Sequence, residues 1–182
     1  MTVHVLGIGG APGCGKTTLF RELFPFLTGE PRRTAFKFKA HVGYHGGNKV
    51  VVLGDYTVPM GGTDKLSMSV APKVVEFVEA LSKLTSTVLV AFEGDRLFAA
   101  KTLHEIDEVA DSLTTYVLDA RQIALRIRRD ARGDSQNPTW LKGRMTKIEA
   151  LKRSHEVLPY TTVQDVRFAK SQILEWLNEE RS

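Results

Sequence analysis

The stretch Gly10-Ala11-Pro12-Gly13-Cys14-Gly15-Lys16-Thr17 matches the pattern Gly-x-x-x-x-Gly-Lys-Thr at every fixed position. An apolar run rich in β-branched residues, Val3–Ile8, precedes it, and a segment with apolar residues at helical spacing follows it as far as Pro25. A strand, a glycine-rich turn and a helix in this order form the setting in which the pattern binds nucleotide phosphates. The stretch therefore predicts a phosphate-binding loop (P-loop) within an α/β fold.

The residue types of this loop suit a nucleoside triphosphate. Glycines let backbone N–H groups surround a phosphate, and the N-terminus of the following helix adds partial positive charge. Lys16 is expected to hold β- and γ-phosphate oxygens, and the hydroxyl group of Thr17 is expected to bind Mg²⁺. The residues expected to contact ATP are Gly10, Ala11, Pro12, Gly13, Cys14, Gly15, Lys16, Thr17 and Thr18.

Short apolar strands alternate with helical patterns along the rest of the chain. This alternation is typical of an open, largely parallel sheet covered by helices. The glycine-rich residues 45–48 separate two strand patterns and indicate a hairpin. A length of 182 residues suits a single domain, 1–182. We expect a three-layer P-loop NTPase sandwich with a mostly parallel sheet, similar to nucleotide kinases and carrying an Arg-rich lid at about residues 126–147.

Three carboxylates stand at predicted strand ends. Glu93 and Asp95 follow the buried run 87–92, so either is expected to reach the Mg²⁺ ion; the alternative is that they cap the next helix. Asp55 ends the strand pattern that starts at Val50. If that strand lies near the P-loop, Asp55 is placed to orient or deprotonate an attacking hydroxyl group, and the alternative is a turn residue.

Positive charge is concentrated in one segment. Residues 121–153 hold ten Lys or Arg and three Asp or Glu, against fifteen and eighteen elsewhere, although the net charge is only +4. Arg128, Arg129 and Arg132 are the candidates for a lid that clamps the transferring phosphoryl group and excludes water. A solvated basic helix face is the alternative interpretation.

Composition excludes several classes of protein. A single Cys forms no internal disulfide and no cysteine-cluster metal site, which favours a reducing compartment. No stretch approaches the ~20 consecutive apolar residues that span a bilayer, and the N-terminal residues lack the pattern of a secretion signal. We therefore expect a cytoplasmic protein without a membrane partner.

Four stretches together carry a narrower resemblance: Leu53–Tyr56, Gly62–Met68, Phe92–Leu97 and Leu141–Lys147. With the P-loop they resemble the small bacteriophage P-loop kinases of thymidine hypermodification, the 5-hydroxymethyluridine DNA kinases. Those enzymes phosphorylate the hydroxymethyl group of 5-hydroxymethyluracil within DNA. The resemblance implies ATP as donor, Mg²⁺ as metal, DNA containing a modified pyrimidine as acceptor, and the host cytoplasm as location.

Two other functions fit the same residues. The first is a kinase of free nucleosides or nucleoside monophosphates, which needs a similar length and lid. The second is a P-loop NTPase that acts as a switch, with slow hydrolysis and a partner-dependent conformational change. The Arg-rich segment favours a kinase over a switch.

Overall fold

The structure, a computed structural model, describes residues 2–58, 61–84, 86–131, 133, 137–159 and 163–179. The strands are β1 (Val3–Gly10), β2 (Arg32–Arg33), β3 (Lys39–His45), β4 (Asn48–Leu53), β5 (Val88–Glu93), β6 (Ser112–Asp119) and β7 (Glu156–Pro159). The α-helices are α1 (Lys16–Leu23), α2 (Ala71–Ser82), α3 (Ala100–Asp107), α4 (Gln122–Ala131), α5 (Pro138–Lys152) and α6 (Val163–Glu179).

The strands of the described residues form one sheet in the order β2-β3-β4-β5-β1-β6-β7. The strands β4, β5, β1, β6 and β7 run parallel to one another, whereas β2 and β3 add antiparallel strands at one edge. From β1 the chain first builds β4 and β5 on one side and then β6 and β7 on the other. Such a switch in strand order opens a crevice beyond the carboxyl ends of the central strands, where ligands bind.

Helices cover both faces of the sheet. Buried residues of α1, α4 and α6 join one core with Leu6, Ile8 and Val52. Buried residues of α2, α3 and α5 join a second core on the opposite face. The prediction of a three-layer, mostly parallel α/β sandwich is therefore confirmed. Among the described residues, no helix has the length and apolar character required to cross a membrane.

Two boundaries differ from the patterns in the sequence, which predict a strand over 35–42 and a helix over 142–156. The hairpin turn lies at Gly46-Gly47 as predicted, but β3 starts at Lys39, because the preceding residues turn back to pair β2 with β3. Helix α5 starts at Pro138 rather than at Lys142. Asn137 caps α5 by accepting a hydrogen bond from the Thr139 N–H at 2.8 Å, and a proline suits the first turn of a helix.

Candidate functional site

The P-loop connects the carboxyl end of β1 to α1. Gly13 and Gly15 have φ angles of 89° and 101°, in the left-handed region that favours glycine. Gly10 has a φ of 138°, and a Cβ atom there would lie 2.5 Å from the carbonyl oxygen of Leu118. Since α1 begins at Lys16, the loop ends at a helix N-terminus. Cys14 is buried, and burial raises the pKa of its thiol, which keeps it neutral at pH 7.

The Lys16 ammonium group folds over the loop. Its Nζ donates hydrogen bonds to the carbonyl oxygens of Gly10, at 2.8 Å, and Ala11, at 3.3 Å. Burial lowers the pKa of Lys16, but the surrounding acidic groups, including Glu93 and Asp95, outweigh burial and raise the pKa overall. Lys16 is therefore a charged group facing the carboxylates at the end of β5.

Glu93 lies at the end of β5, beside Ile8 of the neighbouring parallel strand β1. Only 3% of its surface is exposed, and its Oε1 accepts a hydrogen bond from the Thr17 hydroxyl group at 2.9 Å. Burial raises the pKa of Glu93 to about 7, although Lys16 and Thr17 act in the opposite direction. The structure thus brings the predicted Glu93 and Thr17 together.

A short loop packs against Glu93. Its glycines and hydroxyl groups predict a loop that approaches a ligand closely, and a tight turn before the helix at Pro72 is the alternative. Gly62 has a φ of 99°, and a Cβ atom on it would overlap Glu93 Oε1. The hydroxyl group of the neighbouring Thr63 donates a hydrogen bond to the carbonyl oxygen of Glu93. The stretch Gly61-Gly62-Thr63 had a sequence signal, its paired glycines, but nothing in the sequence indicated its partner.

Asp95 lies beside Glu93 and faces a basic residue of α5. Its Oδ2 is 3.4 Å from Nε of Arg144, and its buried Oδ1 has no hydrogen-bond partner among the described residues. The N-cap of α3 is Ala99, so the alternative interpretation of Glu93 and Asp95 as caps of the following helix is wrong. Desolvation and the charge of Asp95 raise the pKa of the nearby Asp64.

These residues fit a magnesium–nucleotide complex. Mg²⁺ in such sites takes one or two carboxylates and completes its shell with phosphate oxygens and water. Thr17, Glu93 and the unpartnered Oδ1 of Asp95 supply that kind of oxygen set next to Lys16. Within the described part of the chain, no group of three or more Asp, Glu, His or Cys could hold a metal by itself. The donor set therefore matches a metal that arrives with phosphate.

Asp55 is almost fully buried just beyond the end of β4. Its Oδ2 lies 2.7 Å from Nζ of Lys39, and its Oδ1 accepts hydrogen bonds from the N–H group (3.1 Å) and hydroxyl group (2.6 Å) of Thr57. Burial raises the pKa of Asp55, but these hydrogen bonds outweigh it and lower the pKa to about 2. Backbone hydrogen bonds also join Asp55 to Gly62. Strand β5 separates β4 from β1, so Asp55 borders the same crevice as the P-loop.

The basic segment forms α4, α5 and the residues between them. Arg129 reaches the P-loop, with NH1 3.5 Å from the carbonyl oxygen of Pro12. Arg128 lies beside it on α4, and Arg132 falls outside the described residues. Arg126 instead lies 3.8 Å from Asp130 on the exposed face of α4. Of the predicted lid, Arg129 is thus placed against the loop.

Three aromatic residues, Tyr44, Tyr56 and Trp140, have the ring types that stack on a nucleic-acid base, and their environments differ. Tyr56 is buried and stacks on Phe20, with 5.9 Å between ring centroids, so it belongs to the core. Trp140 is 42% exposed on α5, and the guanidinium carbon of Arg144 lies 5.0 Å from its ring centroid. Tyr44 is 73% exposed on β3.

Solved structures show where this architecture recurs. A sugar kinase from Janibacter sp. matches with a TM-score of 0.56 and 17% sequence identity over 98% of this chain and 95% of that chain. The chain has the fold of P-loop kinases. A gluconokinase from Sinorhizobium meliloti matches with a TM-score of 0.47 and 14% identity, covering 98% of each chain. A shikimate kinase from Bacteroides thetaiotaomicron matches with a TM-score of 0.44 and 10% identity, over 98% of this chain and 99% of that chain.

No protein-family model matches the sequence, and no curated protein is significantly similar to it. The resemblance to the phage DNA kinases therefore holds as far as the P-loop kinase fold. A DNA acceptor and the roles of individual residues remain proposals.

Proposed function

We propose that this protein is a phosphotransferase that moves the γ-phosphoryl group of ATP to an alcohol. The observation that carries the proposal is the contact between Thr17 and Glu93, which joins the P-loop helix to a buried carboxylate at the end of the neighbouring strand. Arg129 against the P-loop and Asp55 at the end of β4 add groups for the phosphoryl and acceptor sides. A phosphoryl transfer site needs these groups to position the reactants and stabilise charge.

In this mechanism the acceptor oxygen attacks the γ-phosphorus, and the bond from that phosphorus to the bridging oxygen of ADP breaks. The P-loop N–H groups and Lys16 bind the phosphates. Thr17 and Glu93, with Asp95, would hold a Mg²⁺ ion, which would supply positive charge to the phosphates. Arg129, with Arg128 and Arg132, covers the transferring group. Asp55 accepts a hydrogen bond from the acceptor hydroxyl and takes its proton late, as the new bond to phosphorus forms, and the proton then passes to the solvent. The low pKa of Asp55 suits orientation of that hydroxyl better than early removal of its proton.

For the acceptor we propose the hydroxymethyl group of 5-hydroxymethyluracil in DNA. The stretches that resemble the phage DNA kinases support this choice, because they include the segments around Asp55, Gly62 and Glu93 that line the crevice. A hydroxymethyl group in the groove of a duplex reaches a crevice only if its base is flipped or the strand is single. A free alcohol is the second candidate, since the Janibacter neighbour is described as a sugar kinase.

Transfer of label from γ-labelled ATP with Mg²⁺ tests the proposal. The acceptors are ordinary DNA, DNA containing 5-hydroxymethyluracil, a mixture of nucleosides and nucleoside monophosphates, and a set of simple sugars. Lys16→Ala serves as the inactive control and Lys101→Ala, on an exposed position of α3, as the matched active one. Label only on the modified DNA supports the DNA acceptor. Label on a free alcohol leaves a kinase but overturns that acceptor, and ATP hydrolysis without transfer would identify a switch.

A further inference from the structure

The hairpin at the edge of the sheet carries a local positive charge. The net charge of the whole chain does not show it, because acidic residues elsewhere offset it. Between Glu30 and Asp55 the sequence contains no acidic residue, and five cations: Arg32, Arg33, Lys37, Lys39 and Lys49. The first four of these are exposed. Among the described residues, Lys39 is the only one of the five that forms an ion pair, with Asp55.

Several cations of the more obvious basic segment, 121–153, are paired with acidic residues. Arg126 lies next to Asp130, Arg144 next to Asp95, and Lys152 contacts both Asp119 and Glu149. The edge hairpin presents a second positive surface, in which five cations lie in a stretch without an acidic residue. A cation cluster with so few acidic neighbours attracts polyanions.

Next to these cations lies an apolar groove of about 200 Å³. It is lined by Phe36, Ala40, Val42, Val51, Phe77 and Leu81, with Arg32 and Lys49 at its rim. Pairing of Arg32 with Ala40 and of Lys49 with Tyr44 places both cations on the groove face, because residues paired across antiparallel strands point to the same side. Tyr44, 73% exposed, continues this face beyond the groove.

We propose that this surface, the edge groove with its cations, binds a single strand of DNA that leads to the acceptor site. Single-stranded nucleic acid is held by cations along its backbone and by aromatic side chains on which its bases stack. A duplex would hide those bases and leave the apolar groove and Tyr44 without a partner. The role of this surface in catalysis rests on the proposed DNA acceptor, whereas the binding of DNA itself is inferred from the edge groove and its cations.

The position of the surface supports the same occupant. Strand β3 is antiparallel to β4, so Lys39 at the start of β3 lies beside the end of β4 and contacts Asp55. Arg33 and Lys39, which are paired with each other, alternate with Arg32 and Ala40, so they lie on the opposite face of the sheet from the groove. The groove runs along β3 and β4 as far as Ala40, which is paired with Leu53 at the end of β4. A strand of DNA that follows the groove therefore arrives at the edge of the sheet where Asp55 lies.

Fluorescence anisotropy of a labelled oligothymidylate, measured over a series of NaCl concentrations, tests this surface. The variant Arg32→Gln/Lys37→Gln/Lys49→Gln removes three cations of the hairpin, two of them at the rim of the groove, and leaves Lys39 and Asp55 intact. We expect at least ten-fold weaker binding at low salt, and a salt slope that is smaller by about 2, because each lost phosphate contact removes about 0.7. Tyr44→Ser should weaken binding about five-fold or more without changing the slope, because it removes stacking alone.

The matched control is Lys73→Gln/Lys83→Gln/Arg153→Gln, which removes three exposed cations outside the edge groove. Unchanged binding by the hairpin variant, or an equal loss in the control, would overturn the proposal and leave the edge charges as protection against strand pairing. Thermal unfolding of each variant verifies that it is folded. If the hairpin variant transfers label to DNA as fast as the wild type, the proposed binding surface is overturned but the DNA acceptor is not. Hairpin-dependent binding without transfer upholds the surface and overturns the proposed DNA acceptor.

Discussion

The hydroxyl group of Thr17 donates a hydrogen bond to Oε1 of Glu93 across 2.9 Å, which joins the first turn of α1 to the end of β5. The two residues are 76 positions apart in the sequence. They meet because β1 and β5 are parallel neighbours, so that the P-loop and the end of β5 leave the sheet at the same edge. Glu93 is thereby held next to the nucleotide-binding loop in a nearly water-free position.

Replacing Glu93 with glutamine should stabilise the protein at neutral pH. Burial raises the pKa of Glu93 from 4.5 to about 7. Between these values the folded state retains a proton that the unfolded state has lost, so this group lowers stability progressively as the pH rises from 4.5 to 7. The shift corresponds to about 3 kcal/mol. Urea unfolding of the variant and the wild type should show a free-energy difference that grows by up to this amount over that range.

Glu79→Gln provides the control for that measurement, because Glu79 lies on the exposed face of α2 next to Lys83. A difference between Glu93→Gln and the wild type that is independent of pH would contradict the assigned ionisation. Glu93→Gln should also lower the rate of magnesium-dependent phosphoryl transfer by at least about 100-fold, because an amide is a poor ligand for Mg²⁺ compared with a carboxylate.

Gly62→Ala should lower the free energy of unfolding by more than the conformational cost of a positive φ, because the added Cβ atom would also overlap Glu93 Oε1. Gly47 offers a matched control: its φ of 92° is similar, and no atom of the described residues lies within 4 Å of the position that its Cβ would occupy. We expect Gly47→Ala to cost about 1–2 kcal/mol from conformation alone, and Gly62→Ala to cost more and to abolish transfer. Equal free energies of unfolding for the two variants would refute a close packing of Gly62 on Glu93.

Asp55→Asn should reduce kcat far more than it changes the KM for ATP. The amide keeps the shape of the side chain but removes the charge that Lys39 and Thr57 hold in place. We expect a fall in kcat of about 100-fold, in the range of a lost acid–base or orienting group, and a change in KM of less than about three-fold. Steady-state kinetics with Asp107→Asn as the exposed control would measure both. Proportional losses in kcat and in ATP affinity would instead make Asp55 a structural residue.

Arg129→Ala should slow transfer, whereas Arg126→Ala should not. Arg129 reaches the carbonyl oxygen of Pro12 in the P-loop, and Arg126 lies on the outer face of the same helix beside Asp130. Both changes remove one positive charge from α4, so a general electrostatic effect would lower both rates alike. We expect kcat to fall at least about ten-fold for Arg129→Ala only. Rates that fall equally would argue against a specific contact with the transferring group.

The sequence was sufficient for the parts of the site that depend on local order along the chain. The P-loop is one continuous motif between a strand and a helix, and its geometry follows from the glycines and from Lys16 and Thr17. Glu93 and Asp55 were predicted as strand-end carboxylates because parallel strands bring their carboxyl ends to one edge. These predictions need only the periodicity of single elements and the general rules of α/β sheets.

Contacts that depend on register or on loop conformation were not predictable. The pairing of Lys39 with Asp55 requires the antiparallel register of β3 against β4 and a chain reversal before Lys39, which set the pKa of Asp55. The packing of Gly62 on Glu93 requires the path of an irregular loop. The absence of acidic residues from the hairpin, in contrast, can be read from the sequence, although charge totals over longer segments conceal it.

The two hydrogen bonds between Asp55 and Gly62 give the crevice a property of its own. They tie the backbone of the residue proposed for the acceptor to the loop that packs on the carboxylate proposed for the metal, so a shift of one is passed to the other. Two ligands that order the same piece of backbone bind cooperatively, and each raises the affinity of the other by the same factor. Nucleotide and acceptor are therefore expected to assemble as a linked pair, which disfavours transfer to water when the acceptor is absent.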